Sequence, residues 1–139
     1  MAVIAPDLAE RLKEAFGALT GQVDLEVYTA KGEKEEFAQF TRDLVGEISQ
    51  LSDKIKAGFF DLDSPEAKAR GISRSPTLLI APERYRLRYT GAPAGEEARS
   101  FLQTIFMVSA GASRLSEASR RRLGELKEPR RVKVFVSPT

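Results

Sequence analysis

Gly71-Ile72-Ser73-Arg74-Ser75-Pro76-Thr77-Leu78-Leu79-Ile80 decides how the rest of the chain is read. Gly71 can close a helix, because glycine takes the left-handed conformation without penalty. Pro76 then stands at the head of an apolar run. Proline lacks a donor N–H, so it suits the first residue of a strand and not the middle of a central one. An X-Pro bond is also the one peptide bond that takes the cis form cheaply. Residues 77–81 read as a buried strand of sheet-core type. Taken alone, the stretch reads equally well as a proline that merely starts a strand.

The flanking sequence places that strand in a larger order. Upstream, Asp63-Ser64-Pro65-Glu66 is a helix start, with a capping side chain, a proline at the first position and an acid. Residues 55–62 form a strand before it, weakened by Gly58 and strengthened by Phe59 and Phe60. Phe37, Phe40, Leu44, Val45, Ile48 and Leu51 make a long helical stripe, preceded by a polar turn over residues 29–36. Val23, Leu25 and Val27 alternate with polar residues, as a strand does. Strand, helix and strand make a βαβ unit, whose strands are expected parallel with a right-handed crossover. Before it, Pro6 and Asp7 open a helix with Leu8, Leu12, Ala15, Phe16 and Leu19 on one face.

Downstream, Pro82-Glu83-Arg84 is too short for anything but an antiparallel hairpin between residues 77–81 and 85–90. A loop over residues 91–95 leads to a helix from Glu96 to about Ala110. A basic helix is expected over residues 116–127, stopped by Pro129, and Val132-Lys133-Val134-Phe135-Val136 has the period and composition of a strand.

Composition narrows the chemistry. The 139 residues suit one domain, or one domain and the beginning of another. Cys, His, Trp and Asn are all missing. Without Cys there is no disulfide, thiolate nucleophile or Cys-bound metal, and without His the commonest general base and metal ligand are gone. The missing Asn, with Arg outnumbering Lys, hints at a thermophilic source. No stretch approaches a membrane span, and Met1-Ala2-Val3-Ile4-Ala5-Pro6-Asp7 has no basic run and too short an apolar one for a signal peptide, so a cytoplasmic location is expected. Charge is uneven: residues 1–70 hold nine Lys+Arg against fourteen Asp+Glu, residues 71–139 thirteen against six. Such asymmetry marks an acidic-partner or nucleic-acid surface, or a fragment whose other half carries the balance.

The element order, with Asp61-Leu62-Asp63-Ser64-Pro65, Gly71-Ile72, Ser75-Pro76-Thr77-Leu78-Leu79 and the later Gly91, resembles the thioredoxin fold. The resemblance implies an α/β/α three-layer domain around a mixed four-stranded sheet, with an extra N-terminal helix. It also implies a cis Pro76, and peptide or partner contact through Ser75, Pro76 and Thr77. Ser49-Gln50-Leu51-Ser52-Asp53-Lys54 and Tyr89-Thr90-Gly91-Ala92-Pro93-Ala94-Gly95-Glu96-Glu97 extend the likeness. They resemble the first unit of two tandem groups: the glutaredoxin-like protein disulfide oxidoreductases, and the N-terminal domain of the alkyl hydroperoxide reductase flavoprotein subunit. That implies a thioredoxin-like unit at residues 1–112, and at 113–139 a linking helix with the first strand of a second, truncated unit. In both groups that strand runs into Cys-x-x-Cys.

In the thioredoxin family a Cys-x-x-Cys also opens the long helix. The matching positions here fall within Glu33, Lys34, Glu35, Glu36 and Phe37, so the active-site turn is vestigial and thiol–disulfide exchange there is impossible. No catalytic residue, metal or cofactor is assigned to the chain. Glu33, Glu35 and Glu36 suit the first turn of a helix, and Asp63 a helix start, better than a metal cluster. Arg84, Arg86 and Arg88 are expected on one strand face with Tyr85, Leu87 and Tyr89 on the other, which defeats the stacking-plus-phosphate geometry of single-strand nucleic-acid binding. Arg120-Arg121-Arg122 with Arg130-Arg131 suits a solvated face or an acidic partner domain.

The expected function is therefore a redox-inactive scaffold or docking unit beside a second thioredoxin-like unit or redox partner. The alternative is a fragment of an active disulfide oxidoreductase or peroxide-reducing electron carrier whose cysteines lie just beyond Thr139. An apolar strand without neighbours also invites a homodimer through Val132 to Val136.

Overall fold

The computed structural model describes residues 2–137. Its elements are α1 (Pro6–Phe16), β1 (Val23–Thr29), α2 (Glu35–Gln50), β2 (Ile55–Asp61), α3 (Pro65–Arg70), β3 (Thr77–Ile80), β4 (Leu87–Thr90), α4 (Glu96–Ala110) and α5 (Glu117–Gly124). The four strands form one sheet in the order β2-β1-β3-β4. β1 and β2 are parallel, with Val23 opposite Ile55 and Thr29 opposite Asp61, and α2 makes the crossover. β3 runs antiparallel to β1, and β4 antiparallel to β3. The arrangement is thioredoxin-like.

Alternation along the strands divides the core in two. On one face Val23, Leu25, Val27, Ile55, Leu78 and Ile80 pack against Phe16 of α1, Leu44, Val45 and Ile48 of α2, and Phe101, Ile105 and Val108 of α4. Each fully buried side chain of this size contributes roughly 1.5–3 kcal/mol. The opposite face holds only Tyr28, Leu79, Ala67 and Ile72, with Phe60 and Leu62 at its margin, under the short α3. Gly58 belongs to this thinner layer. A Cβ there would stand 2.9 Å from the Phe60 ring, which stacks on Tyr28 at 5.1 Å. The glycine makes room for that stack.

The N-terminal helix is held by a carboxylate as well as by its apolar stripe. Glu47 of α2 accepts hydrogen bonds from the Val3 N–H at 2.6 Å and the Ile4 N–H at 2.8 Å. At the other end of α1, Ser109 of α4 accepts from the N–H groups of Thr20 and Gly21, both at 3.0 Å, and donates to the Gly21 carbonyl at 2.8 Å.

Four expectations are corrected. β4 begins at Leu87, not at residue 85. Ala81 sits in the left-handed region (φ 47°), and its carbonyl accepts from the N–H groups of Arg84 and Tyr85, so a helical turn occupies the start of the expected strand. The arginines consequently do not form one row. Arg84 donates to the Val108 carbonyl at the end of α4, and Arg88 to the carbonyls of Arg70 and Gly71 at the end of α3. Both neutralise the negative ends of helices.

α5 ends at Gly124, short of residue 127. Val132-Lys133-Val134-Phe135-Val136 is not a strand: it carries no regular structure and is exposed, Val132 by 84% and Phe135 by 90%. A strand needs a neighbour to take its backbone donors and acceptors, and the four-stranded sheet is complete without this segment.

Candidate functional site

Three connections meet at the carboxyl end of β1: the turn into α2, the segment from α3 to β3, and the loop from β4 to α4. Ser64 caps α3, accepting from the Ala67 N–H, and Gly71 closes it in the left-handed conformation (φ 67°). The chain then reaches Ser75 and Pro76, whose peptide bond is cis. Ser75 is only 1% exposed, and its hydroxyl accepts from the Ala30 N–H at 2.9 Å. The Pro76 carbonyl accepts from the Gly91 N–H at 2.9 Å. Thr77, 1% exposed, donates its hydroxyl to the Arg74 carbonyl at 2.6 Å. Ser75, Pro76 and Thr77 are thus brought together as a buried joint, with Arg74 exposed beside them.

The turn at Glu33, Lys34, Glu35, Glu36 and Phe37 is built differently. Gly32 (φ 79°) and Lys34 (φ 47°) both take the left-handed conformation to turn the chain into α2. No side chain caps the helix. Instead Glu35 reaches back and accepts from the Gly32 N–H at 2.7 Å. Glu33, Lys34, Glu35 and Glu36 are exposed, and Phe37 is half exposed at 50%. A shallow cavity of about 200 Å³ lies between Glu36, Phe37, Phe40 and Ala94, where the start of α2 faces the β4–α4 loop. Behind the turn, Arg42 donates to the Thr29 hydroxyl and to the Gln39 side chain, both at 2.8 Å.

The start of α2 is acidic and contains no cysteine. A helix start stabilises a thiolate through its dipole. Here acidic side chains of the same turn stand at that start. Nearby tyrosines are held protonated. Burial, reinforced by the hydrogen bond to Glu26, pushes Tyr28 up to about 12, and burial with the charge of Glu97 raises Tyr89. Asp61 ends β2 with its carbonyl capping the Ser64 turn, and Asp63 lies in that turn. Among the described residues no three His, Asp or Glu side chains gather as a metal-binding group.

Sequence reasoning missed the Ala30, Gly91, Arg42 and Ser109 contacts. Each joins residues far apart in the chain through a common residue type, so no local pattern marks it. Gly91 alone carried a signal, as the glycine after the last strand.

No family model matches the chain, and no curated protein does. Solved structures do. The chain is similar to a protein disulfide oxidoreductase from Aeropyrum pernix, at 25% identity and TM-score 0.77, over 88% of this chain and 55% of that one. It is similar to the NTD_N/C domain of alkylhydroperoxide reductase AhpF from Enterococcus faecalis, at 20% identity and TM-score 0.71, over 86% and 59%. The AhpF subunit itself, as a C503A mutant, gives 19% identity and TM-score 0.72 over 88% and 61%. The chain spans a little over half the length of these proteins.

Proposed function

We propose that residues 1–112 are the cysteine-free first unit of a two-unit thioredoxin-fold redox protein, and that residues 113–139 link it to the second unit and begin that unit's sheet. In this reading the first unit is a scaffold or docking module. Its own turn cannot exchange thiols, and reactivity belongs to cysteines on the second unit or on a redox partner. One observation carries the proposal: Ser75, Pro76 and Thr77 form a buried joint, closed by the Ala30 and Gly91 N–H groups, beside the start of α2, which holds no cysteine.

Two further observations support it. The similar proteins are a disulfide oxidoreductase and an alkylhydroperoxide reductase, each nearly twice as long as the matched region. Residues 111–137 are exposed throughout, with Leu115, Leu123, Leu126 and Phe135 among them. Apolar side chains in that number suit a surface that another unit covers. Ser75 and Pro76 are buried, while Arg74 and Phe37 nearby in sequence or fold are exposed to an approaching partner. A cytoplasmic location fits a redox unit of this kind; separately, among the described residues no helix is long and apolar enough to cross a membrane.

The second reading keeps the same fold and places the activity in the parent protein, as disulfide reduction or electron delivery to a peroxidase. The AhpF likeness favours it. One experiment serves both. The 139-residue chain is expected to reduce insulin no faster than buffer, and the gene product read on beyond codon 139 to reduce it with turnover. Turnover by the short chain overturns the scaffold role, and a stop codon directly after Thr139 overturns the tandem one.

A further inference from the structure

We propose that the open edge of β2 accepts Val132-Lys133-Val134-Phe135-Val136 of a second copy of this chain as an antiparallel fifth strand. The inference concerns the chain as it stands and goes beyond the tandem reading, on which it does not rest.

The donor segment alternates β-branched and longer side chains, the composition that favours strands. It nevertheless lies outside the sheet, with Val132, Val134 and Val136 exposed by 84%, 78% and 57%. The sheet has two open edges, β2 and β4. β4 offers four residues and carries Arg88, with Arg86 just before it. Arg130, Arg131 and Lys133 would meet like charge there. β2 offers seven residues, and its carboxyl end carries the exposed carboxylates of Asp61 and Asp63. Among the described residues neither is in an ion pair. Phe59 on the same strand is 46% exposed. Leu87 of β4 is 40% exposed as well, so charge and strand length, not apolar area, select β2.

Charge also sets the direction. Lys54 and Lys56 lie at the amino end of β2, Asp61 and Asp63 at the other. The arginines precede the valines in the donor, so only an antiparallel strand brings Arg130 to Asp61 and keeps it from the lysines. With Arg130 opposite Asp61, Val132 falls opposite Phe59, Val134 opposite Ala57 and Val136 opposite Ile55. Ile55, Ala57 and Phe59 share the face that packs under α2. The three valines extend that apolar row and cover Phe59. Edge pairing of this kind adds main-chain hydrogen bonds for affinity and alternate side chains for register.

The absence of cysteine makes the test clean. A Phe59→Cys chain is mixed with a Val132→Cys chain, oxidised and mapped by mass spectrometry; a second mixture pairs Phe59→Cys with Val136→Cys. The disulfide between positions 59 and 132 of different chains is expected to dominate, since a parallel strand would favour 59 with 136. Dominance of the latter, or no disulfide between unlike chains, overturns the proposal. So does a double variant, Phe59→Cys/Val132→Cys, that closes within one chain at low protein concentration.

Sedimentation of the unaltered chain is expected to show a dimer that weakens about tenfold from low salt to roughly 0.5 M, as surface ion pairs are screened. Val134→Lys is expected to abolish that dimer and leave the circular dichroism unchanged, because position 134 lies outside the core. A dimer undisturbed by Val134→Lys contradicts the assigned segment. None of these outcomes bears on insulin reduction, so this inference and the tandem reading fail separately.

Discussion

The joint at Ser75 and the turn at Glu33 lie at the same end of the sheet and are made in opposite ways. The joint is buried and closed by hydrogen bonds from Ala30 and Gly91, residues 45 and 15 positions away. The turn is exposed, its helix has no side-chain cap, and its bonds are local, from the Gly32 N–H to Glu35 and from the Ala38 N–H to the Lys34 carbonyl. A buried joint cannot change without orphaning backbone groups on neighbouring loops. An exposed turn can change without orphaning distant backbone groups, so its residues are less constrained by the fold. The contrast teaches that long-range hydrogen bonds hold one connection of this thioredoxin-like fold, while the neighbouring turn, which contains no cysteine, is held locally.

The contrast breaks if joints prove cheap to remove. The largest effect is expected at the opposite end of the sheet, where Ser109 serves three backbone groups at once. Ser109→Ala leaves two N–H groups and a carbonyl without a side-chain partner, and is expected to cost about 3 kcal/mol in urea unfolding. A loss below about 0.5 kcal/mol would show that water replaces the hydroxyl and that the joint is ornamental.

The next effect is read in pH. Tyr28 pairs with Thr77 across the sheet, and its pKa is raised from 10.0 to about 12, by burial first and then by the bond to Glu26. The folded protein therefore binds this proton more tightly than the unfolded chain. The contribution is complete below pH 10 and is lost as pH rises from 10 through about 12. It amounts to about 2–3 kcal/mol. Urea unfolding across that range is expected to show a smaller alkaline loss for Tyr28→Phe than for the unaltered chain. Equal losses would place the titration elsewhere.

Ser75→Ala sharpens the comparison directly. It strips the acceptor from the Ala30 N–H and is expected to destabilise by about 1–2 kcal/mol, with the loss localised by hydrogen exchange at Ala30. On the turn the sign reverses. Lys34 occupies the left-handed region, where a side chain is strained, so Lys34→Gly is expected to stabilise by about 0.5–1 kcal/mol. Destabilisation there would mean that the lysine side chain holds the turn.

Much of this was legible from residues 71–80 outward, because periodicity, proline position and helix-stop glycines are local signals. Leu44, Val45 and Ile48 declared the face of α2, although Phe37, read into the same stripe, is half exposed, and Ser64-Pro65 declared the start of α3. The start of β4 was not legible, since Ala81 carries no mark of the left-handed conformation that begins the turn. The arginines misled for a related reason. Alternation in sequence suggested one row, yet Arg84 and Arg88 are drawn to the ends of different helices, which only the folded chain brings near. Val132 to Val136 reads as a strand by composition, but a strand is a property of two segments, and the second is missing from this sheet. That the turn at Glu33 to Phe37 holds no cysteine was plain from composition; that Ser75 is sealed inside was not.

The most direct measurement returns the missing chemistry to the turn. Lys34 and Phe37 have the spacing of Cys-x-x-Cys at the start of α2. Lys34→Cys/Phe37→Cys is expected to close a disulfide within one chain and to reduce insulin with dithiothreitol above the level of the unaltered chain. A folded variant that fails to close that disulfide, or that closes it and gains no activity, would contradict the claim that a thioredoxin-like site survives here without its sulfur.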